Sequence, residues 1–459
     1  MSDPGTQSVV FPELLDRPVI GRFDEPATSV DGGAMLLAGL DRGLGLTARL
    51  AGALRDGRQP GKVVHRFLDL VRQRVFGLAC GYADCNDAQT LCDDPMQKLL
   101  LARDPIDGLG LAGQSTLSRF ENAVGRSDLY RMALELMEVV IEQNRKRRRG
   151  ARRVKRITID LDPTEDPTHG HQQLALFNGY YDTWCYLPLL AFVTFDAEPE
   201  QHLVAAILRG GRAAASDGAL PLLRRLLPKL RQAFPRARLR MRLDGGFAGP
   251  ELLTYFEEEG LEYVVAIGRN SVLVRRIEPL MKRVRKATQQ SGETETEFGE
   301  TSYAAGSWRR QNRRVIMKAE VTRLEDRSPR DNARFVVTNL RHSPAGVYQI
   351  YRARGDAENR IKELKHDLAM DRTSCTRFLA NQLRVLLTAA AFVLFQQLRL
   401  RLARRGEEQP TVATLRLHLL KIAVRVESSV RRVVLHFSAS HVWAVQWLRF
   451  ARACGAAPA

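Results

Sequence analysis

A few carboxylates at recurring strand and helix positions are the simplest way for a chain to attract a divalent cation. Asp160 and Asp162 lie in Ile157-Thr-Ile-Asp-Leu-Asp162, where Ile157, Ile159 and Leu161 alternate with Thr158, Asp160 and Asp162. Strand side chains alternate with period two, so both aspartates fall on one face. Asp244 closes a second strand-like stretch from Arg238, directly before Gly245 and Gly246. Glu358 lies in a charged helical segment. Carboxylates converging at strand ends are poorly placed unless a cation joins them. Mg²⁺ takes few protein carboxylates and keeps its other positions for water or phosphate oxygens. Two such ions, about 4 Å apart, serve phosphoryl transfer by activating a water or 3′-hydroxyl and steadying the leaving oxygen. Spacing alone carries this only partway, since any large α/β chain has many acids.

The segment around Glu358 adds to the set. It reads Tyr351-x2-Arg354-x3-Glu358-x6-Lys365. On one continuous helix, at about 100° per residue, these four fall within roughly 60° of Tyr351. One reading is an acid flanked by phosphate-binding groups. The other is a solvated face held by Arg354–Glu358 and Glu358–Lys362 pairs at helical spacing.

The elements that must position these residues follow from periodicity. The first 150 residues read as helical, with amphipathic stretches at 63–78 and 129–142 and a short helix at 114–121. That short helix is either the reading helix of a helix-turn-helix or an ordinary core helix. Nine of the twelve positions from Arg145 to Arg156 are Lys or Arg. Arg145, Lys146, Arg147, Arg148 and Arg149 form either a solvated linker or a contact to a DNA backbone. Strands are expected at 157–162, 184–195, 202–208, 238–244 and 261–267. Helices are expected at 217–234, with Ser216 as N-cap, and at 250–259. Residues 271–344 read as a mostly β insertion, with strands at 315–322 and 335–338 and no helix of comparable strength. Helix returns at 348–370 and 378–402.

Composition limits the partners. The 459 residues hold 70 Lys+Arg against 52 Asp+Glu, a net charge of +18 and a pI near 10.0. With 44% hydrophobic and 27% charged residues the chain is globular, and its basic excess points to a polyanion, nucleic acid before a membrane surface. The apolar run Val385–Phe395 is shorter than the roughly 20 residues of a spanning helix, so no membrane partner is expected. Six cysteines with no CxxC pair do not form a disulfide framework, and the cytoplasm is the expected compartment. His169 and His171 lack two further zinc ligands nearby. Trp308, in the insertion, reads as a strand core residue before a base-stacking one.

Three ordered segments carry a resemblance. Ile159-Asp-Leu-Asp-Pro-Thr164 followed by His169-Gly-His-Gln172, then Leu243-Asp-Gly-Gly-Phe247, then Tyr351-Arg-Ala-Arg-Gly-Asp-Ala-Glu-Asn359, resemble segments of the DDE insertion-sequence transposases with the Y(2)R(3)E(6)K signature. More narrowly, they are similar to the insertion-sequence family numbered thirteen-eighty. The likeness covers about residues 110 to 395.

It implies an α/β fold with an RNase H-like catalytic core interrupted by a mostly β insertion, preceded by a helical DNA-binding region and followed by a helical tail. The corresponding divisions are 1–153 for DNA-end binding, 154–270 and 345–402 for the core, 271–344 for the insertion and 403–459 for the tail. Asp244 matches the second catalytic Asp and Glu358 the catalytic Glu. The first is Asp162, whose Asp-x-Thr with Thr164 is similar to the family pattern, or its rival Asp160. Tyr351, Arg354 and Lys365 match positions contacting phosphates of the element end. The resemblance implies Mg²⁺ at the acids, with Mn²⁺ as substitute, and double-stranded DNA as partner, both inverted repeats and target. It further implies at least a dimer when ends are paired, and a bacterial, nucleoid-associated location. The rivals are an RNase H-like nuclease without strand transfer and an inactive DNA-binding relic.

Overall fold

The computed structural model describes residues 8–11, 15–148, 153–308, 311–324, 327–402 and 409–457. Two compact units emerge: residues 44–55 with 121–396, and residues 1–43 with 56–120 and 397–459. This grouping cuts across the expected five divisions. Residues 121–153 go with the core, and the tail goes with the N-terminal segments.

The larger unit is built on an eight-stranded sheet. Its strands are β1 (Arg156–Pro163), β5 (Leu189–Phe195), β6 (His202–Ile207), β7 (Arg238–Leu243), β8 (Glu262–Ile267), β9 (Glu295–Tyr303), β10 (Arg313–Thr322) and β11 (Arg330–Thr338). Their order is β9-β10-β11-β8-β7-β1-β5-β6. β1, β7 and β8 run parallel at the centre, and every other pairing is antiparallel. β1 is buried along almost its whole length, as a central strand covered on both faces must be. A small second sheet pairs β2 (Asp166–Pro167), β4 (Thr183–Tyr186) and β3 (Leu176–Asn178) in the order β2-β4-β3. Helix α1 (Arg126–Arg147) packs on β6 and on α2 (Ala219–Ala233), while α3 (Pro250–Glu258) follows β7 and contacts β8.

Several expectations need correction. The stretch 184–195 is two strands, because the chain breaks at Leu187-Pro188. α2 starts after Gly218, in the left-handed region at φ 77°, not on Ser216. The insertion opens with a 21-residue helix, α4 (Ser271–Ser291). Its buried Leu273, Ile277, Leu280, Met281, Val284 and Thr288 keep helical spacing, and Asn270 caps it by accepting from the Val272 and Leu273 amides at 3.1 and 3.0 Å. Pro279 lies inside this helix without ending it. β9, β10 and β11, the strands of the insertion, extend the central sheet through the β11–β8 pairing.

The segment expected as one helix from 348 to 370 is three pieces: α5 (Pro344–Arg352), α6 (Gly355–Lys362) and a π turn at Glu363–Asp367. At the joint the amides of Arg354 and Ala357 bond three residues back, to the Tyr351 and Arg354 carbonyls, which tightens the turn. Helix α7 (Phe378–Leu402) is long and apolar enough to cross a membrane by length and composition, so run length did not exclude a span. Of its most apolar window, 83% is buried inside the protein.

The smaller unit is less helical than expected. A hairpin joins Ser8–Phe11 to Val19–Arg22, and a three-stranded sheet orders Val433–Phe437, Val424–Ser428 and Thr28–Ser29. Val424 and Val426 are buried with Met96, while Arg425 and Glu427 are exposed. That period-two alternation marks a strand inside the supposed helical tail.

Candidate active site

Register decides which acids meet. β1 and β7 are parallel neighbours with Asp160 opposite Arg242 and Leu161 opposite Leu243. Continuing that register places Asp162 and Asp244 side by side at the carboxyl ends of two adjacent parallel strands, where α/β sheets hold their ligands. Asp244 is fixed there by its own turn, its Oδ1 accepting from the Gly246 amide at 2.9 Å. The turn needs glycine, because a Cβ on Gly246 would lie 2.5 Å from that of Ala215.

Asp160, two residues earlier, is closed off. It is 1% exposed, and the Arg242 guanidinium donates to both of its oxygens, Nε to Oδ1 at 2.7 Å and Nη2 to Oδ2 at 2.8 Å. Burial pushes its carboxyl up, against the pull of Arg242. Arg242 Nη1 also reaches the Ile350 carbonyl at 3.4 Å, tying the end of α5 to the sheet.

Asp162 is 8% exposed and faces a different arrangement. Arg354, at the joint before α6, donates from Nη1 to Asp162 Oδ2 at 2.8 Å and from Nη2 to Glu358 Oε1. One guanidinium therefore links the strand acid to the helix acid. Burial, and next the charges of Asp244, Glu358 and Asp160, push the Asp162 carboxyl up to about 7, although Arg354 pulls it down. Three acids around one cation leave surplus negative charge. Tyr351, half-buried on α5, completes this side, its phenol raised by burial and also by the Asp244 charge.

The oxygen donors are of the kind Mg²⁺ takes, but their arrangement does not fit an ion. Among the described residues no three acidic, histidine or cysteine side chains converge closely enough to hold one, and Arg354 stands between Asp162 and Glu358.

The remaining candidates part company. Lys365, on the π turn, leaves the Arg354 face and forms an ion pair with Glu165. Beside it Asp166 is buried, accepts from Thr373 Oγ1 at 2.9 Å, and is pushed up to about 8 by burial. Arg147 and Arg148 both pair with Glu198, and Arg148 lies over the Phe195 ring at 4.0 Å. Those two arginines are committed within the fold; Arg145 and Lys146 are exposed. Arg149 lies outside the described residues. Trp308 is buried on a 3₁₀ turn, not a strand, with Arg313 over its ring at 5.4 Å. Sequence reading missed Arg242, Glu165, Asp166 and Thr373. Only Arg242 had a local signal, sharing the Asp244 face of its strand.

Compared with known proteins, the chain matches the family described as transposase DDE domain group 1 over residues 11–453. No curated protein matches it.

Proposed function

The chain belongs to the transposase DDE domain group 1 family, and on that premise we propose that it binds the terminal inverted repeats of its own insertion sequence, cleaves there, and joins the freed 3′ ends to target DNA. The family implies a DNA substrate and an RNase H-like core, and DDE transposases generally use divalent metals. Within it, the spacing Tyr351-x2-Arg354-x3-Glu358-x6-Lys365 supports assignment to the Y(2)R(3)E(6)K group, and we propose the thirteen-eighty insertion sequences as its nearest kin. The reaction of this reading is a phosphoryl transfer by at least a dimer; Asp162, Asp244 and Glu358 would hold Mg²⁺, or Mn²⁺ as substitute, only once Arg354 has left its place between Asp162 and Glu358.

Asp162, Asp244 and Glu358 are the catalytic acids of this reading. The observation that carries it is their meeting: adjacent strand ends bring two acids together, and Arg354 joins the third to them. Asp160 is set aside because both its oxygens are taken by Arg242. Tyr351, Arg354 and Lys365 would bind phosphates of the element end. Arg145 and Lys146 would add sequence-independent backbone contacts, of the kind that position without specifying.

The test uses a labelled duplex carrying the inverted repeats that flank the gene, the full chain, Mg²⁺ and a supercoiled target plasmid. Cleavage at the repeat with 3′ joining to the plasmid is expected. Cleavage without joining makes the protein a nuclease, and neither reaction in Mg²⁺ or Mn²⁺ overturns the reading.

A further inference from the structure

The excursion between Asp162 and the next strand of the central sheet has an unusual surface. From the carboxyl end of β1 the chain forms β2, then the β3–β4 hairpin, and returns into β5, where Leu189 pairs with Pro163 and Leu190 with Asp162. The hairpin thus grows from the strand end that bears Asp162. Its apolar side chains point outward: Tyr180 is 88% exposed, Trp184 57%, Leu174 56% and Phe177 39%. Large apolar groups clustered on a surface mark an interaction site.

This surface is preformed. Phe177 packs edge-on against Trp184 with ring centroids 6.4 Å apart, and Tyr181 edge-on against Tyr180 at 4.9 Å. Asn178 Oδ1 accepts from the Tyr180 amide at 2.9 Å, while its Nδ2 donates to the Gly211 carbonyl at 2.7 Å. Leu174 and Asp182 hold left-handed backbone at φ 65° and 51°. Left-handed backbone in non-glycine residues persists where surrounding structure enforces it, and it gathers at binding sites. Next to Gly211 stands Arg212, exposed and without an ion pair or hydrogen bond among the described residues. Tyr181 is half-buried at the hairpin tip, and burial, then the charges of Glu165, Tyr180, Asp162 and Asp244, push its phenol up, in keeping with a hairpin that springs from the end of β1.

We infer that this hairpin is a nucleobase platform: a DNA strand that has left the duplex beside the acids stacks its bases on Trp184 and Tyr180 and sets a phosphate against Arg212. Aromatic faces accept any base, and an adjacent cation follows the backbone, which is the general design of single-strand sites. This rests on the DNA-cleavage reading above, yet it concerns different residues.

The experiment measures anisotropy of the full chain with a fluorescein-labelled single strand and, separately, a labelled duplex, together with quenching of 2-aminopurine placed in the single strand. Wild type is expected to bind both and to quench the probe by stacking. Trp184→Ala should weaken single-strand binding about five- to 150-fold and abolish quenching, while Trp184→Phe retains most of both. Arg212→Ala should flatten the salt dependence of single-strand binding. Duplex affinity and melting temperature should not change in any variant, since these side chains are exposed. If Trp184→Ala and Tyr180→Ala bind the single strand as wild type does while duplex binding persists, the platform falls and the DNA reading stands. If Trp184→Ala instead breaks up a dimer with unchanged strand affinity, the hairpin is a subunit contact and the inference is overturned. A wild type that binds neither DNA overturns both.

Discussion

Two arginine–carboxylate meetings lie two residues apart on β1, and they differ in balance. At Asp160 one arginine faces one acid, both oxygens are satisfied, and water is excluded. At Asp162 one arginine serves two acids with a third beside them, and Asp162 is driven up to about 7. A balanced pair closes charge inside the protein. An unbalanced cluster stores repulsion at the surface end of the strands, where an incoming group can relieve it. Perturbed acids in such a place are candidates for chemistry on physical grounds.

The comparison breaks most decisively on activity. Asp162→Asn and Glu358→Gln should each lower strand cleavage about a thousandfold, a loss of several kcal/mol of transition-state stabilisation at tenfold per 1.36 kcal/mol. A gel assay with the repeat duplex reads this directly. A folded Asp160→Asn that loses cleavage while Asp162→Asn keeps it would exchange the roles of the two sites.

Stability should show the opposite ranking. Asp160→Ala leaves Arg242 buried and unpaired, at a cost of about 3–5 kcal/mol in urea unfolding. Pairing Asp160→Leu with Arg242→Met should recover most of this, because apolar replacement of a buried ion pair is often neutral.

The pH dependence sharpens the contrast. The folded state keeps a proton on Asp162 up to about pH 7, whereas the unfolded chain loses it in the ordinary carboxylate range. More protons are bound folded than unfolded across that window, so the Asp162 contribution to stability falls as pH rises through it. Asp162→Asn removes that dependence and should melt higher than wild type at pH 8, with the advantage gone near pH 4. A parallel offset at both pH values would sink this account.

The smallest effects concern the basic run, which also divides. Arg147 and Arg148 share Glu198, while Arg145 and Lys146 have no ion pair among the described residues. Arg145→Ala and Lys146→Ala should each weaken duplex binding and reduce its log–log salt slope by about 0.9. Arg148→Ala should act on folding, by about 0.5–2 kcal/mol from its lost ring contact.

Local chemistry was legible in the sequence. Alternation marked β1 and β7, the Pro250 start marked α3, and the four-residue spacing put Arg354 within reach of Glu358. What was not legible is long-range pairing. Nothing near Asp160 announces Arg242, 82 residues on, and nothing near Arg354 announces Asp162, 192 residues back. Strand register creates the first meeting, and the packing of α6 on β1 creates the second. Two misreadings were avoidable: Pro279 obscured a helical period in α4, and the alternating Val424 and Val426 passed for helix. The break in the helix from 344 to 367 had one local signal, Gly355 directly after Arg354, since glycine weakens a helix interior by about 1 kcal/mol.

Strand Thr28–Ser29 takes Val424–Arg425 as its neighbour, which has a consequence for biosynthesis. The ribosome delivers the larger unit, residues 44–55 and 121–396, before it has made any of residues 397–459. At about 5–20 residues per second, reaching Val424 from Gln396 takes roughly 1–6 s. During that interval the segment bearing the three acids can close its sheet, while the strand at Thr28 still lacks its partner. The smaller unit therefore closes after the larger one, and a message cut short before codon 424 would yield the acid-bearing sheet without the strand that Thr28–Ser29 needs.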